Sequence, residues 1–384
     1  MHPVNSSTSS SEPERPSRSE TTPASLAAAL CWTILWLAAI EVGCQILERV
    51  EPIRESAFGR PIAAYLERGE STARRLRAAW GSDDPNLKAM IDAGWIDRSR
   101  WRELPARRTA ATPHLAAFYG NSFTRQIASH VGRLEPAIAV RMIFGPVAPA
   151  SHAYACFLED RGEHAADAVV IGVVLEMLPG LRAMTRATQS VVEPSPYTFP
   201  RYWIEDGALA SADPAIRRFE DFGHALEDTA AWEAHLAALE GHDDFYSAAL
   251  YNESWLDELA FTRFLKSAWA IRRHRSVVDP VIAGLADPAS SEPVAVLVEI
   301  LRRFGEQARE DGRRPLVLLI DTPAVSPKAS RHVRDRLAAR NLTTILSADS
   351  CDGNDPRSYA ADGHLSEACA IRVAEQVRNW IEAP

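Results

Sequence analysis

Lysine is almost missing from this chain. Three residues (Lys88, Lys266 and Lys328) stand among 42 basic side chains in 384 residues, so nearly all the positive charge is arginine, from which no function is read. A basic excess is missing too. The formal net charge is -9, which gives the chain as a whole no electrostatic reason to seek nucleic acid or an anionic lipid surface. Cysteine is sparse: five residues and no C-x-x-C pair, which argues against a structural zinc site. Cys31 and Cys44 fall in an apolar N-terminal segment. Cys156, Cys351 and Cys369 are odd in number and scattered, which leaves room for one disulfide among them in a compartment that permits it. No glycine-rich phosphate loop occurs, which removes a nucleotide-binding reading, and there is no internal repeat.

The 46% apolar and 24% charged residues are globular in proportion, and the length suffices for one large or two ordinary domains. Residues 1–23 are rich in Ser, Thr, Pro and Glu and are expected to be disordered. The next run, "ASLAAALCWTILWLAAIEVGCQIL" (24–47), predicts a transmembrane anchor, since about 20 apolar residues cross a ~30 Å hydrocarbon core. It is longer than a signal-peptide core and lacks an A-x-A exit, which favours a retained anchor over a cleaved leader. Arg15 and Arg18 precede it and Arg49, Arg54 and Arg60 follow, so the positive-inside count does not favour a cytoplasmic N-terminus. Residues 48–105, rich in Ala, Arg and Glu, are expected to form a helical stalk leading to a main domain over 106–384.

From about residue 113 strands and helices alternate. "HLAAFYG" reads as a strand, "SFTRQIASHVGRL" as a helix, 137–145 as a strand, and 150–164 as a helix. Residues 167–178, "DAVVIGVVLEML", form a continuous Val/Ile-led run, the mark of a strand buried on both faces. A helix over "EPVAVLVEILRRFGEQAREDG", a buried strand over 314–324, a helix and strand over 332–348, and a C-terminal helix close the chain. This pattern predicts an α/β domain of three layers, helices on both faces of a parallel sheet. A helical insertion is expected over 205–290. The Pro- and aromatic-rich 193–210 is read either as a lining for the mouth of a site or as a plain surface loop.

Active groups in such a sheet gather at the carboxyl ends of the strands, and three candidates fall there. Ser122, after Gly120 and Asn121, leaves a strand and opens a helix, where backbone N–H groups and a positive helix end point outward. His364 follows Asp362 by two residues just before the last helix. An imidazole oriented by a carboxylate is the base that a serine hydroxyl needs to become a nucleophile. Gly145 ends the second strand, where a backbone N–H could join that of Ser122 in an oxyanion hole. Each alone has an ordinary structural explanation: a helix cap, a turn, a loop glycine.

In order and spacing these features resemble the SGNH (GDSL-type) hydrolase family, over roughly 113–180 and 313–382. "YGNSFT" is similar to that family's nucleophile block, with Asn where Asp is usual, and "DGHLSEACAIRVAE" to its last block. The resemblance implies a flavodoxin-like fold with Ser122 as nucleophile, His364 as base, Asp362 as orienting acid, and Ser122 and Gly145 as oxyanion donors. No cofactor or metal is implied. The acid stands two residues before the histidine rather than three, as in SGNH-like polysaccharide acetyltransferases. The family's oxyanion asparagine after the third strand has no counterpart: Glu176 stands about there. The implied activity is ester hydrolysis or O-acyl transfer through an acyl-serine, on an acylated envelope or extracellular glycan or a small ester, by a domain held outside the cytoplasm. The rival expectation is a non-catalytic envelope protein of the same fold that binds glycan or a partner. A thiol hydrolase built on Cys156 or Cys351 is disfavoured, because neither stands at a strand–helix turn beside a histidine.

Overall fold

A computed structural model describes residues 23–383 except 191, 193, 194, 324, 326 and 354. Nearly all of the expected disordered tail thus lies outside the described residues. The chain divides into two compact units, 1–63 and 64–384. In the first, α1 (Pro23–Arg49) contains a 24-residue stretch of mean hydropathy 1.9, long and apolar enough to cross a membrane. Among its large side chains, Leu26, Trp32 and Trp36 are more than half exposed. Helix α2 (Gly59–Arg68) starts in the first unit and ends in the second.

The second unit, the body, continues with α3 (Thr72–Trp80) and α4 (Pro85–Asp92), then alternates: β1 (His114–Gly120), α5 (Ser122–Leu134), β2 (Ile138–Phe144), α6 (Ala150–Asp160) and β3 (Ala168–Val174). A hairpin of β4 (Arg201–Glu205) and β5 (Ala208–Ala212) leads to α7 (Phe219–Glu227), α8 (Thr229–His242) and α9 (Ala260–Gly284). Helix α10 (Glu292–Glu310), β6 (Arg314–Ile320), α11 (Pro327–Ala338), β7 (Thr343–Leu346) and α12 (Glu367–Glu382) complete it. The five-stranded sheet has the order β2-β1-β3-β6-β7 and every pairing is parallel. Alternation along β1 divides the core. Leu115, Ala117 and Tyr119 face the layer of α6, α10 and α11, while Ala116 and Phe118 face α5 and α12. The α/β expectation with helices on both faces of a parallel sheet is met.

Several boundaries differ from expectation: the helix expected over 150–164 ends at Asp160 and the strand expected over 314–324 ends at Ile320, and four further differences are larger. The apolar run 167–178 stops being a strand at Val174, and Leu175–Arg182 forms a 3-10 turn. Apolarity alone does not separate a buried strand from a buried turn. The described residues of the Pro- and aromatic-rich 193–210 are neither a mouth lining nor a plain surface loop. Tyr197 and Phe199 are fully buried, and Asp206 and Gly207, both at positive φ, make the two-residue turn of the β4–β5 hairpin. The insertion over 205–290 therefore begins as this hairpin and is helical only from Phe219. The expected stalk is also different. From Ala64 the chain belongs to the body, where Ala73, Leu76, Ile91 and Trp95 share a core with Phe199, Phe222, Trp232 and Val277.

One end of the sheet buries charge. Arg141 on β2 grips Asp160 at the end of α6 with two bonds of 2.6 and 2.8 Å. The Tyr119 hydroxyl donates to the same carboxylate at 2.8 Å and lies 2.8 Å from His164 Nε2. All four side chains are buried and each finds a partner, as buried ions must. Burial pushes His164, His152 and His235 down to about 4. These rings are neutral in the folded protein and gain protons below about pH 6.5 only on unfolding. Stability they contribute at neutral pH is therefore lost as pH falls from about 6.5 toward 4, at up to ~1.4 kcal/mol per pH unit for each. Buried Asp243, raised to about 6, has the opposite sign and offsets one of the three between about pH 4 and 6. The melting temperature of the full chain should thus fall by several degrees from pH 7 to pH 5; calorimetry showing it unchanged or higher would contradict this account.

Candidate active site

The nucleophile candidate is placed by two glycines. Thr124, buried in the first turn of α5, packs where Cβ atoms on Gly120 and Gly172 would stand, 2.2 and 2.0 Å from its Oγ1. Only glycine on β1 and β3 lets α5 begin this close to the sheet. Asn121 caps that helix, its side-chain oxygen accepting from the N–H groups of Phe123 (3.1 Å) and Thr124 (3.4 Å). Ser122 is the first helical residue, so its own N–H is among the donors a helix start leaves without an intrahelical partner. The helix runs 13 residues and presents its positive end here.

The histidine arrives from the far end of the chain. Gly363, at φ 83°, turns the backbone between Asp362 and His364. The loop is tied by Ala360 N–H to His364 O and Ser366 N–H to Ser358 O, both 2.8 Å, and by Gln126 Nε2 of α5, which donates to Leu365 O at 2.8 Å. A disulfide joins Cys351 to Cys369, bracketing the loop between a coil and α12; Cys156 is free and buried. The outcome is that His364 Nε2 lies 2.7 Å from Ser122 Oγ, two residues 242 positions apart. Asp362 Oδ2 stands 3.1 Å from His364 Nδ1, close enough to pair, although the ring N–H is not aligned for a good hydrogen bond. The His364 backbone N–H bonds Asp362 Oδ1 at 3.1 Å, and this bond, with the nearby imidazole, lowers the carboxyl's pKa. Asp362 is largely solvent-exposed, with a side chain at 69%.

Phe123 was not singled out in the sequence. Its ring lies against His364, with centroids 4.5 Å apart, and fixes the plane of the imidazole. Its signal was only adjacency to Ser122. Gly145 corrects an expectation: its N–H donates to Gly120 O at 3.1 Å, extending the β1–β2 ladder, so it is not a free oxyanion donor. Glycine is needed there because a Cβ would meet His152 and Ala148 within 3 Å. Two residues on, Val147 adopts φ 53°, a strained conformation for a β-branched residue, and its N–H donates to no described residue. Glu176 is exposed on the 3-10 turn, and neighbouring Met177 receives the Asn121 Nδ2 contact at 3.2 Å. Cys156 lies 3.7 Å from His152 inside the core, but burial pushes its thiol well above the ordinary range, so the pair is not an activated nucleophile.

Ser122, His364 and Asp362 open onto a cleft of about 730 Å³. Met177, Pro179, Ile271, Val278 and Ile282 give it an apolar wall, and Arg68, Arg186 and Arg275 outnumber the carboxylates Glu176 and Asp362 in a chain that is acidic overall. Among the described residues no group of three or more His, Cys, Asp or Glu could hold a metal ion. No protein-family profile, curated protein or solved structure matches the chain. What the arrangement can do therefore rests on its geometry. A hydroxyl at a helix N-terminus, an imidazole in hydrogen-bond contact and a carboxylate behind it can generate an alkoxide-like nucleophile. Replacing Cys351 and Cys369 by serine opens a loop of sequence separation 18 and should cost roughly 3 kcal/mol, read by urea unfolding. A thiol titration of unfolded wild type that found all five cysteines free would remove the bridge from this account.

Proposed function

We propose that the body is a serine-dependent ester hydrolase or O-acyltransferase of the SGNH type. The observation that carries this reading is the 2.7 Å contact between Ser122 Oγ and His364 Nε2 at the carboxyl end of a parallel sheet. In the proposed cycle Ser122 Oγ attacks an acyl carbonyl carbon as its proton passes to His364. The alcohol leaves with that proton and Ser122 is acylated. Water, or a sugar hydroxyl, then gives a proton to His364, attacks the acyl-serine and restores the hydroxyl. Asp362 holds the ring from its other side. The oxyanion is assigned to the N–H of Ser122 and, in place of Gly145, that of Val147, both on the cleft rim.

The cleft arginines favour a substrate whose acyl group is carried by something acidic, such as an acylated anionic glycan. The Cys351–Cys369 disulfide supports a body outside the cytoplasm, since such bonds persist in oxidising compartments. With the apolar α1 as anchor, the substrate class is an acylated envelope or extracellular glycan. The committed Gly145 and the glutamate at 176 favour the second reading, a non-catalytic binding protein of the same fold.

Turnover of p-nitrophenyl acetate separates the two. Ser122→Ala should lower the rate at least ~10³-fold, within the range that removal of a triad member allows. Asp362→Asn should cost less than the ~10⁴-fold known for a buried triad aspartate, because water can partly replace an exposed carboxylate. Equal rates for wild type and Ser122→Ala, with no labelling of wild type by a fluorophosphonate, would leave the binding-protein reading standing.

A further inference from the structure

Helix α9 carries an outward face that the body leaves about half exposed. Phe264, Leu265 and Trp269 are 43, 51 and 45% exposed, and one and two turns further along the same face stand exposed Arg272 and Arg275. The preceding turn adds Trp255, 75% exposed, and Leu256. Lys266 pairs with Asp257 and holds that turn against α9. The acidic residues around the aromatic cluster are neutralised, Glu253 by Arg77, Asp257 by Lys266 and Glu258 by Arg74. Arg272 and Arg275 form no ion pair with a described residue.

The chain joins the body at this same place. Tyr65 on α2 packs tilted against Phe264 with ring centroids 5.1 Å apart. Gly69 abuts the Arg263 backbone so closely that a Cβ would stand 1.8 Å from its carbonyl oxygen, and Glu70 pairs with Arg263 at 3.4 Å. Only residues 50–63 separate this junction from the end of the apolar α1. Even fully extended, a linker of that length reaches no more than about 50 Å.

We propose that this face of α9, with the Trp255–Leu256 turn, docks the body on a phospholipid bilayer. The inference rests on reading α1 as a membrane span and is independent of the chemistry at Ser122. Trp, Phe and Leu beside arginine is the composition of a helix lying in the lipid interface: rings and aliphatic chains enter the headgroup–acyl boundary, and guanidinium groups bind phosphates. The tether makes docking intramolecular, so a weak surface suffices. Net acidity of the whole chain does not oppose it, because the stripe from Phe264 to Arg275 carries no acidic residue, exposed Asp279 lying one turn beyond it. Arg275 also lines the cleft, so docking brings the mouth of the cleft to headgroup level, where an acyl ester carried on or near the membrane is presented.

Site-directed spin labelling of the full chain tests this in nanodiscs of phosphatidylcholine with a minority of phosphatidylglycerol. In a Cys31→Ser, Cys44→Ser background, single cysteines replace Leu265 on the stripe, exposed Arg336 on α11, or Leu35 in the span. The label at 265 should favour collision with oxygen over an aqueous nickel chelate, as at 35, while the label at 336 should show the reverse. Trp255→Ala with Trp269→Ala should shift the oxygen-to-nickel ratio at 265 at least twofold toward the value at 336. A label at 265 that matches 336 while the label at 35 reads lipid overturns docking and leaves the anchor intact. A label at 35 that reads water removes the anchor and docking together. Neither result bears on Ser122-dependent turnover of a soluble ester.

Discussion

The close approach of α5 to the sheet is the constraint on which the site depends. Thr124 sits in the space that side chains on Gly120 and Gly172 would fill, so the first turn of α5 rests directly on β1 and β3. That contact fixes where Ser122 stands and which way the helix end points. A single methyl group on either strand would push the helix away and take the hydroxyl out of reach of His364. The geometry of the candidate site is thus set first by what two strand residues lack.

The partner side of the site is held by different means. The Asp362–His364 loop has little core of its own and lies largely exposed. It is positioned by backbone bonds across its neck, by Gln126 from α5, by the Phe123 ring and by the Cys351–Cys369 bridge. Several weak restraints from separate elements hold the imidazole where one strong contact would be enough on a buried strand. The helices from α3 onward and the long insertion enclose a second core of their own, and α9 from that insertion forms one wall of the cleft. The parallel sheet positions Ser122 and the helical part walls the cleft onto which it opens.

Much of the scaffold was legible in the sequence. The β1–α5 junction at Ser122, the α/β alternation and the apolar α1 follow from local pattern, because buried parallel strands read as apolar runs and amphipathic helices as a 3.6-residue period. The β4–β5 hairpin was announced by Asp206-Gly207, but the surrounding prolines and aromatics obscured it. The packing of residues 72–101 into the body was not legible, since Leu76 and Ile91 meet Phe222 and Trp232 only after folding. Nor was the use of the Gly145 N–H, because a glycine at a strand end looks the same whether its amide is free or paired.

The sequence by itself determined which residues could act: a serine at a strand–helix turn, a histidine two positions after an aspartate, and a span able to cross a bilayer. Tertiary structure alone decided that Ser122 and His364 lie in contact, that Cys351 and not Cys156 pairs with Cys369, and that Gly145 belongs to the sheet. The physical reason is range. Local periodicity encodes the conformation of a segment and its buried face, whereas distance between side chains 242 residues apart is set by how faces from the whole chain pack together.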